Sequence, residues 1–341
     1  MTLLTTWTSD TPYRPRSGAL SRSRDTPIRL INKNWRAQPR LAGGTMPQLP
    51  VTRRAGTGSQ QDQNRCAMFD VGATWIRGLV ARAGENELSS VGSLTLPTPN
   101  GAHALVDGLT ASLARLSDSS TRPITDVRVA MPGIISSEGV VRFAGNLNIQ
   151  NFDLKAALEK ATGLPCVVVN DAKAQSLALL SSDRRTFLYV SMGTGIGGAL
   201  VIDGSPLIGA GYAGEVGHIQ VPNGHSRVAC YCGRAKCLEL FASGGALERV
   251  LGQNWWTTPK PEVDNALIEA GNAVGAALDI VQVTFFLSFI HIAGHLASYE
   301  IFRGAVENAL RTSPLWPVPE VAWSEDSTAL TYVGLSRIQL F

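Results

Sequence analysis

Short apolar runs of strand length alternate with longer segments of helical periodicity along most of the chain. From Cys66 onward, the short runs are rich in Val, Ile, Leu and Phe, and Leu or Ala recurs every three or four residues between them. Such alternation predicts an α/β fold. The predicted strands are residues 67–71, 76–81, 93–97, 127–131, 166–169, 187–191, 199–202, 289–293 and 320–323, and the predicted helices are residues 102–116, 154–162, 172–180, 265–283, 301–311 and 329–338.

Two predicted strand pairs are each joined by a glycine-containing turn, one at residues 70–72 and one at residues 193–198. Each pair opens one half of the chain. We therefore predict two related α/β lobes around a central cleft. The first covers residues 66–175, the second covers residues 176–325, and a final helix at 326–341 joins the first lobe.

Residues 1–65 have a different composition, with eleven Lys and Arg against three Asp and no sustained apolar period. This pattern predicts a disordered basic extension. An organelle transit peptide, an incorrectly assigned start upstream of Met46 and a nucleic-acid-binding arm remain alternatives, although the segment has no helix-turn-helix pattern. Because the chain as a whole carries only +3, the remainder is acidic, and we expect no nucleic-acid partner.

The chain has 341 residues and 44% hydrophobic residues, enough for about two domains with real cores. No basic start followed by an apolar run marks a secretory signal. The apolar run at 280–294 is too short to span a bilayer and indicates a helix end followed by a buried strand. Three of the five cysteines are clustered, which favours a reducing compartment over a disulfide framework. We expect a soluble cytoplasmic protein with no membrane partner.

The first candidate site is the turn that contains Asp70, Gly72 and Thr74. An acidic residue at a strand end, a glycine that lets the backbone approach closely, and a hydroxyl suit contact with magnesium and phosphate. A plain β-hairpin turn would show the same pattern.

The second candidate site is the turn Gly-Thr-Gly-Ile-Gly-Gly at residues 193–198. Successive backbone N–H groups in such a turn can bind a phosphate. The turn lacks the Gly-Lys-Ser/Thr ending of a Walker P-loop, and a strand rather than a helix follows it, which excludes a Rossmann fingerprint.

The third candidate site is the pair Asn170 and Asp171, after a predicted buried strand. A carboxylate there can accept the proton of a substrate hydroxyl, as phosphoryl transfer requires. The alternative is an Asx cap of the following helix.

The fourth candidate site places one histidine, three cysteines and two glutamates within residues 215–239. His218, Cys230, Cys232 and Cys237 have the ligand count of a closed structural zinc site. Glu215 and Glu239 are not needed for the metal. Buried cysteines without a metal are the alternative.

These pieces occur in a fixed order: Asp-x-Gly-x-Thr, Pro-Gly-Ile, Asn-Asp-Ala, Gly-Thr-Gly-Ile-Gly-Gly, Ala-Gly-Glu-Val-Gly-His and Cys-x-Cys-Gly-x3-Cys-Leu-Glu. A chain with this signature resembles the ROK family of sugar kinases, such as glucokinase and N-acetylmannosamine kinase, and sugar-responsive repressors, within the actin-like ATPase superfamily. The resemblance covers residues 67–340. It implies two actin-like (ribonuclease H-like) lobes, a structural zinc loop at residues 215–239, a homodimer, and ATP-dependent phosphorylation of a hexose or N-acetylhexosamine.

The resemblance also implies a role for individual residues. Asp171 would be the general base for the sugar hydroxyl. The implied sugar ligands are Asn146, Asn170, Glu215, His218 and Glu239. The implied zinc ligands are His218, Cys230, Cys232 and Cys237. The residues implied in binding ATP and Mg²⁺ are Asp70, Gly72, Thr74, Gly193, Thr194, Gly195, Gly197 and Gly294.

The chain departs from the family pattern at its nucleotide end. The family's Gly-Gly near the adenosine is Gly294-His295 here, and the segment at 244–265 is shortened and contains Trp255 and Trp256. These changes predict weak ATP binding. A sugar-sensing repressor and a catalytically inactive sugar-binding protein are therefore the alternative functions.

Overall fold

A computed structural model describes residues 65–82, 92–120, 122–209, 211–221, 228–257, 261–311 and 317–338. The basic extension predicted at residues 1–65 lies outside them, apart from Arg65. Strands and helices alternate as predicted. The strands are β1 Arg65–Val71, β2 Trp75–Arg82, β3 Gly92–Pro97, β4 Ile124–Met131, β5 Ile134–Ile135, β6 Val140–Ala144, β7 Ile149–Asp153, β8 Cys166–Asn170, β9 Phe187–Met192, β10 Ile196–Ile202, β11 Ser205–Pro206, β12 Phe289–Ala293 and β13 Glu320–Ser324. The helices are α1 Ala102–Asp118, α2 Leu154–Thr162, α3 Asp171–Leu177, α4 Glu239–Ala242, α5 Gly244–Leu251, α6 Pro261–Phe285, α7 Glu300–Leu310 and α8 Thr328–Ser336.

Two five-stranded mixed sheets share one topology. The first has the order β3-β2-β1-β4-β8 and the second β11-β10-β9-β12-β13. In each sheet the central strand pairs antiparallel with the next strand in sequence and parallel with a later one. The prediction that each half opens with a strand pair joined by a glycine turn is therefore confirmed. The lobe boundaries at 175/176 and 325/326 stay predictions.

Helix α3 is packed between the two sheets. Because side chains alternate along a strand, β1 sends Phe69 to one face and Met68 to the other, where Met68 packs with Ala174 of α3. On its opposite side α3 meets the second sheet, since Ala172 packs with Phe187 and Tyr189 of β9. The helix that begins at Asp171 is thus fixed by both sheets.

Helix α8 packs directly against α3. A Cβ atom added at Gly334 would lie 1.8 Å from the carbonyl oxygen of Ala174, so the two backbones are in direct contact there. Nε2 of Gln175 donates a hydrogen bond to Oγ1 of Thr331 at 2.9 Å. Helix α8 also packs on β1. The assignment of the final helix to the first lobe stays a prediction.

The sequence did not indicate several elements. These are the small antiparallel sheet β5-β6-β7, the one-turn helix Gly145–Leu147 after it, and the short helix α4. Strand β10 also begins at Ile196 rather than at 199, because Gly197 and Gly198 pair with β9 although glycine carries no apolar signal. Helix α3 ends at Leu177 instead of 180.

Helix α6 has the length and apolar composition of a membrane span, and it is the single helix in the described ranges to meet those two criteria. Half of its most apolar window is buried, and it packs against α7. This is the pattern of a core helix. As predicted, the apolar run at 280–294 is the end of α6 followed by the buried strand β12.

Candidate active site

Of the pair Asn170 and Asp171, it is Asn170 that caps helix α3. Asn170 is the last residue of β8, and its Oδ1 accepts a hydrogen bond from the amide N–H of Lys173 at 3.0 Å, which makes it the N-cap of α3. Its Nδ2 donates to the carbonyl of Gly133 at 3.0 Å. The Asx cap is thus supplied by Asn170. Asp171, in the first turn, accepts one hydrogen bond from the amide of Ala172 at 2.8 Å.

A buried ion pair lies next to Asp171. Nζ of Lys173 is 3.7 Å from Oε1 of Glu215, and only 3% of the lysine side chain and 17% of the glutamate side chain are exposed. Neither atom has a hydrogen-bond partner within the described residues. Because buried polar atoms are normally hydrogen-bonded, this pair marks a place where an additional polar group can bind.

The carboxylates of this region have raised pKa values. Burial raises the pKa of Asp171, and the amide of Ala172 and the charge of Lys173 oppose that shift. Burial raises the pKa of Glu215 to about 7, against the charge of Lys173 and with added repulsion from Asp171 and Glu239. Burial together with the charge of Asp171 raises the pKa of Asp70 to about 6. Raised pKa values in a cluster of this kind are typical of functional sites.

Glu239 joins this cluster to the second glycine turn. Its Oε2 accepts a hydrogen bond from the amide of Ile196 at 3.0 Å. A Cβ atom at Gly195 would lie 2.5 Å from the same oxygen, so the approach of the carboxylate requires glycine there. The turn itself is exposed at Gly193 and Thr194, and Gly197 packs against Ala172 of α3. Within this turn, Gly197 therefore lies beside Ala172, the residue that follows Asp171.

The first glycine turn is a β-hairpin turn between β1 and β2. The amide of Gly72 donates to the carbonyl of Trp75 at 2.8 Å, and the carbonyl of Thr74 accepts from the amide of Thr98 at 2.9 Å. The side chain of Thr74 is exposed. A guanidinium nitrogen of Arg77 lies 3.6 Å from Oδ2 of Asp70 across the hairpin. Asp171 is close enough for its charge to raise the pKa of Asp70.

The four predicted metal ligands come together. One ligand atom from each of His218, Cys230, Cys232 and Cys237 lies within 4.8 Å of all the others. Nδ1 of His218 is 3.4 Å from Sγ of Cys230, and Sγ of Cys232 is 3.4 Å from Sγ of Cys237. Ligands around a tetrahedral zinc ion are about 3.5–3.8 Å apart, so three sulfurs and one imidazole nitrogen fit this metal.

Tyr231, between the first two cysteines, holds the other ring nitrogen of His218. Its hydroxyl lies 2.7 Å from Nε2, and its ring stacks on Phe143 of β6 with centroids 5.2 Å apart. With Nδ1 facing the cysteines, both ring nitrogens of His218 are engaged. The predicted contact of His218 with a sugar therefore requires Tyr231 to move or to share its hydrogen bond.

Two predicted residues lie at the margins of the cluster. Asn146 is exposed on the helix Gly145–Leu147, which follows the strand that carries Phe143. Gly294 follows β12, and its amide donates to the carbonyl of Ser324 at 2.8 Å. No contact in the described structure joins either residue directly to Asp171.

Lys173 and Tyr231 are the residues that the sequence did not reveal. Lys173 follows Asp171 by two positions on α3, and a lysine on a helix is ordinarily exposed to solvent. Only its low exposure of 2% in the structure indicates a role. Tyr231 is the variable residue of a Cys-x-Cys motif. A signal for either would have required knowledge of contacts that are distant in sequence.

Comparison with known proteins gives the family of the chain. The family model described as "ROK family" matches residues 66–309, so the chain belongs to the ROK family. An N-acetylmannosamine kinase of Haemophilus influenzae (strain PittEE) is 29% identical over 272 residues, which are 73% of this chain and 87% of that protein. A glucokinase of Halalkalibacterium halodurans is 32% identical over 246 residues, which are 67% of this chain and 72% of that protein.

Solved structures share the fold. A ROK family glucokinase from Streptomyces griseus, in complex with glucose and AMPPNP, has a TM-score of 0.69 at 24% identity and covers 81% of this chain and 99% of its own. A ROK family transcriptional regulator homologous to E. coli MLC has a TM-score of 0.66 at 22% identity, covering 80% and 77%. An inorganic polyphosphate/ATP-glucomannokinase from Arthrobacter sp. strain KM has a TM-score of 0.57 at 23% identity, covering 80% and 96%.

Proposed function

We propose that this sugar kinase transfers the γ-phosphoryl group of ATP to a hydroxyl of a hexose or N-acetylhexosamine, with Asp171 as the general base. The observation that carries the proposal is the position of Asp171. It lies at the start of a helix fixed by both sheets, beside the glycine turn at 193–198 and beside the buried pair Lys173–Glu215.

Asp171 has the chemistry that a base needs. Burial raises the pKa of Asp171, which makes it a stronger base than an exposed carboxylate, and the charge of Lys173 opposes that shift. The hydroxyl oxygen that loses its proton to Asp171 then attacks the γ-phosphorus in line. Backbone amides of the glycine turn and Mg²⁺ near Asp70 would stabilise the charge on the phosphates.

Sugar hydroxyls suit the remaining polar groups. Among the residues that the structure describes, none is a hydrogen-bond partner of Glu215 Oε1 or Lys173 Nζ, and one hydroxyl can donate to the first and accept from the second. Asn170, Asn146, Glu239 and His218 are further proposed sugar ligands. Discrimination between glucose, fructose, allose, N-acetylglucosamine and N-acetylmannosamine depends on the loops around these residues.

The metal group has a structural role in this proposal. Zinc held by His218, Cys230, Cys232 and Cys237 would fix the loop that carries Glu215 and precedes Glu239. All four ligands come from protein, which leaves no open position for catalysis.

A coupled ADP-release assay with purified protein, Mg-ATP and these five sugars tests the proposal. Strong turnover on one or two sugars is the expected result. Folded, zinc-loaded protein that binds sugar calorimetrically but releases no ADP would favour the inactive sugar-binding alternative. The repressor alternative has the fold of one solved regulator in its favour, and it predicts DNA binding that responds to sugar.

A further inference from the structure

The hydroxyl of Tyr231 occupies the side of His218 that faces away from the cysteines. Its oxygen lies 2.7 Å from Nε2 of His218, and the two rings meet edge to face with centroids 4.9 Å apart. Nδ1 of the same imidazole is 3.4 Å from Sγ of Cys230. With Nδ1 turned to the metal group, Nε2 is the ring nitrogen left for a sugar, and Tyr231 stands in front of it.

The ring of Tyr231 is held in this position by stacking and by a tight turn. One face stacks on Phe143 of β6, with ring planes 24° apart. Phe143 in turn lies against the backbone of the next helix, since a Cβ atom at Gly145 would be 3.1 Å from its ring. The main chain on either side of Tyr231 is closed by a hydrogen bond from the amide of Gly233 to the carbonyl of Cys230 at 2.8 Å. Displacement of the ring would therefore break the stack as well as its hydrogen bond.

His218 belongs to the loop pair that carries two of the proposed sugar carboxylates. Its amide donates a hydrogen bond to the carbonyl of Glu215 at 3.0 Å. The amide of Leu238, the residue before Glu239, donates to the carbonyl of Ile219, the residue after His218, at 2.8 Å. A sugar bound by both carboxylates would thus lie beside His218 and the hydroxyl that is bonded to it.

The hydroxyl of Tyr231 is able to make one more hydrogen bond. A phenol has one proton to donate, accepts through its oxygen and stays protonated at neutral pH. When Nε2 of His218 donates to the phenol oxygen, the phenol proton is left for another acceptor. Within the described residues, the hydroxyl has no hydrogen-bond partner besides His218. The tyrosine is 48% exposed, so a ligand can reach it.

We infer that Tyr231 is a sugar-binding residue, which donates its phenol proton to a hydroxyl oxygen of the substrate while it accepts from Nε2 of His218. Tyr231 thereby takes the contact that the resemblance implies for His218, and His218 becomes a positioning residue that acts through it. The inference rests on the proposed function, which places the sugar beside Glu215 and Glu239.

The test compares Tyr231→Phe with the unaltered full chain, using the sugar that gives the highest turnover among the five. Both proteins are saturated with zinc and their metal content is measured, because the substitution is also expected to weaken zinc binding. We expect the variant to bind the sugar about 3- to 10-fold more weakly in calorimetry, since one neutral hydrogen bond is lost. KM should rise by the same factor with kcat retained, as for a contact that is equally strong in the ground state and the transition state.

Tyr299→Phe is the matched control. It also removes a tyrosine hydroxyl beside a histidine, since that hydroxyl lies 3.1 Å from Nε2 of His295. Tyr299 is outside the loop pair that carries the proposed sugar carboxylates, so this variant should keep the sugar affinity of the unaltered protein.

A series of monodeoxy analogues of the same sugar separates direct contact from an effect through the loop. If Tyr231 bonds to one sugar hydroxyl, the analogue that lacks this hydroxyl should bind equally to Tyr231→Phe and to the unaltered protein, while the other analogues keep the difference. A difference that persists with every analogue would overturn the inference, because the phenol would then act through the structure of the loop.

Two results with the unmodified sugar would also overturn the inference. Unchanged affinity in Tyr231→Phe would show that the phenol makes no contact with the sugar. Tighter binding would show that Tyr231 blocks His218 and moves away when the sugar binds. In either case, continued phosphorylation of the sugar would leave the proposed function intact. No binding and no transfer with any of the five sugars would refute the proposed function, and the inference with it.

Discussion

The hydroxyl of Tyr231 lies 2.7 Å from Nε2 of His218, on the side of the imidazole opposite the three cysteines. If Nδ1 binds the metal, Nε2 carries the ring proton and donates a hydrogen bond to the tyrosine oxygen. Hydrogen bonds of this kind fix the orientation of metal-bound histidines and commonly change metal affinity about 10- to 100-fold. The ring of Tyr231 also stacks on Phe143, which ties the metal loop to the small sheet.

Tyr231→Phe should therefore weaken zinc binding about 10-fold while it keeps the stack on Phe143. Competition with a chromogenic chelator measures the change. Tyr212→Phe, at another exposed tyrosine outside the metal group, should leave zinc affinity as it is. Equal zinc affinities for the two variants would show that Tyr231 does not support the site.

Removal of the metal should loosen the sugar site and lower stability together, since the same loop carries Glu215 and leads into Glu239. Cys232→Ser, or treatment with a chelator, should lower both the sugar affinity and the melting temperature. Metal-free protein with unchanged sugar affinity would contradict a structural role for zinc.

Asp171→Asn should lower turnover by about 10²- to 10⁴-fold, because the amide cannot accept the hydroxyl proton. Sugar binding should stay within a few-fold, since the amide keeps the size of the side chain and an oxygen that can accept from the amide of Ala172. Steady-state kinetics and calorimetry measure the two effects separately. Turnover close to that of the unaltered enzyme would remove Asp171 from the mechanism.

Activity should fall as the pH drops below about 7. Burial raises the pKa of Glu215 to about 7 and also raises that of Asp171, and both groups act as carboxylates in the proposed reaction. A group with a raised pKa is ionised only above that value, so kcat/KM should rise with pH through this region and then level off.

Lys173→Met should move this acid limb to higher pH, because the charge of Lys173 lowers the pKa of both carboxyls. Lys160→Met, on the exposed side of α2, is the matched control. An acid limb at the same pH in both variants would show that Lys173 does not set the ionisation of the site.

Tyr189→Phe should lower the free energy of unfolding by about 1–3 kcal/mol. The buried hydroxyl of Tyr189 donates to Oε1 of Gln175 at 2.8 Å, and its loss leaves a buried acceptor unpaired. Denaturant-induced unfolding measures the effect. Tyr212→Phe should change stability by less than about 0.5 kcal/mol, as surface substitutions usually do.

The apolar pattern was sufficient to predict most of the fold. Helix α2 and strand β12 have the predicted bounds to the residue, because Asp153 caps α2, Gly163 ends it, and Gly294 ends β12. Strand β10 was predicted to start late, since Gly197 and Gly198 pair in the sheet without an apolar side chain. The sheet β5-β6-β7 was missed because its strands are short and give little alternation.

Prediction of the candidate site was limited in a different way. Motif spacing was enough to predict that four potential metal ligands lie together, because they fall within 20 residues of sequence. The pairing of Lys173 with Glu215 and the meeting of Trp256 with His295 join segments about 40 residues apart. Such contacts depend on how the sheets pack, and local patterns carry no information about them.

The contact between α8 and α3 forms late in synthesis of the protein. Thr331, which holds Gln175 of α3, leaves the ribosome 156 residues after its partner. Every proposed sugar and metal ligand is synthesised before α8, but the helix that begins at Asp171 gains its support at Gly334 only afterwards. A nascent chain that ends before Thr328 would thus contain the complete set of site residues without the packing that positions them.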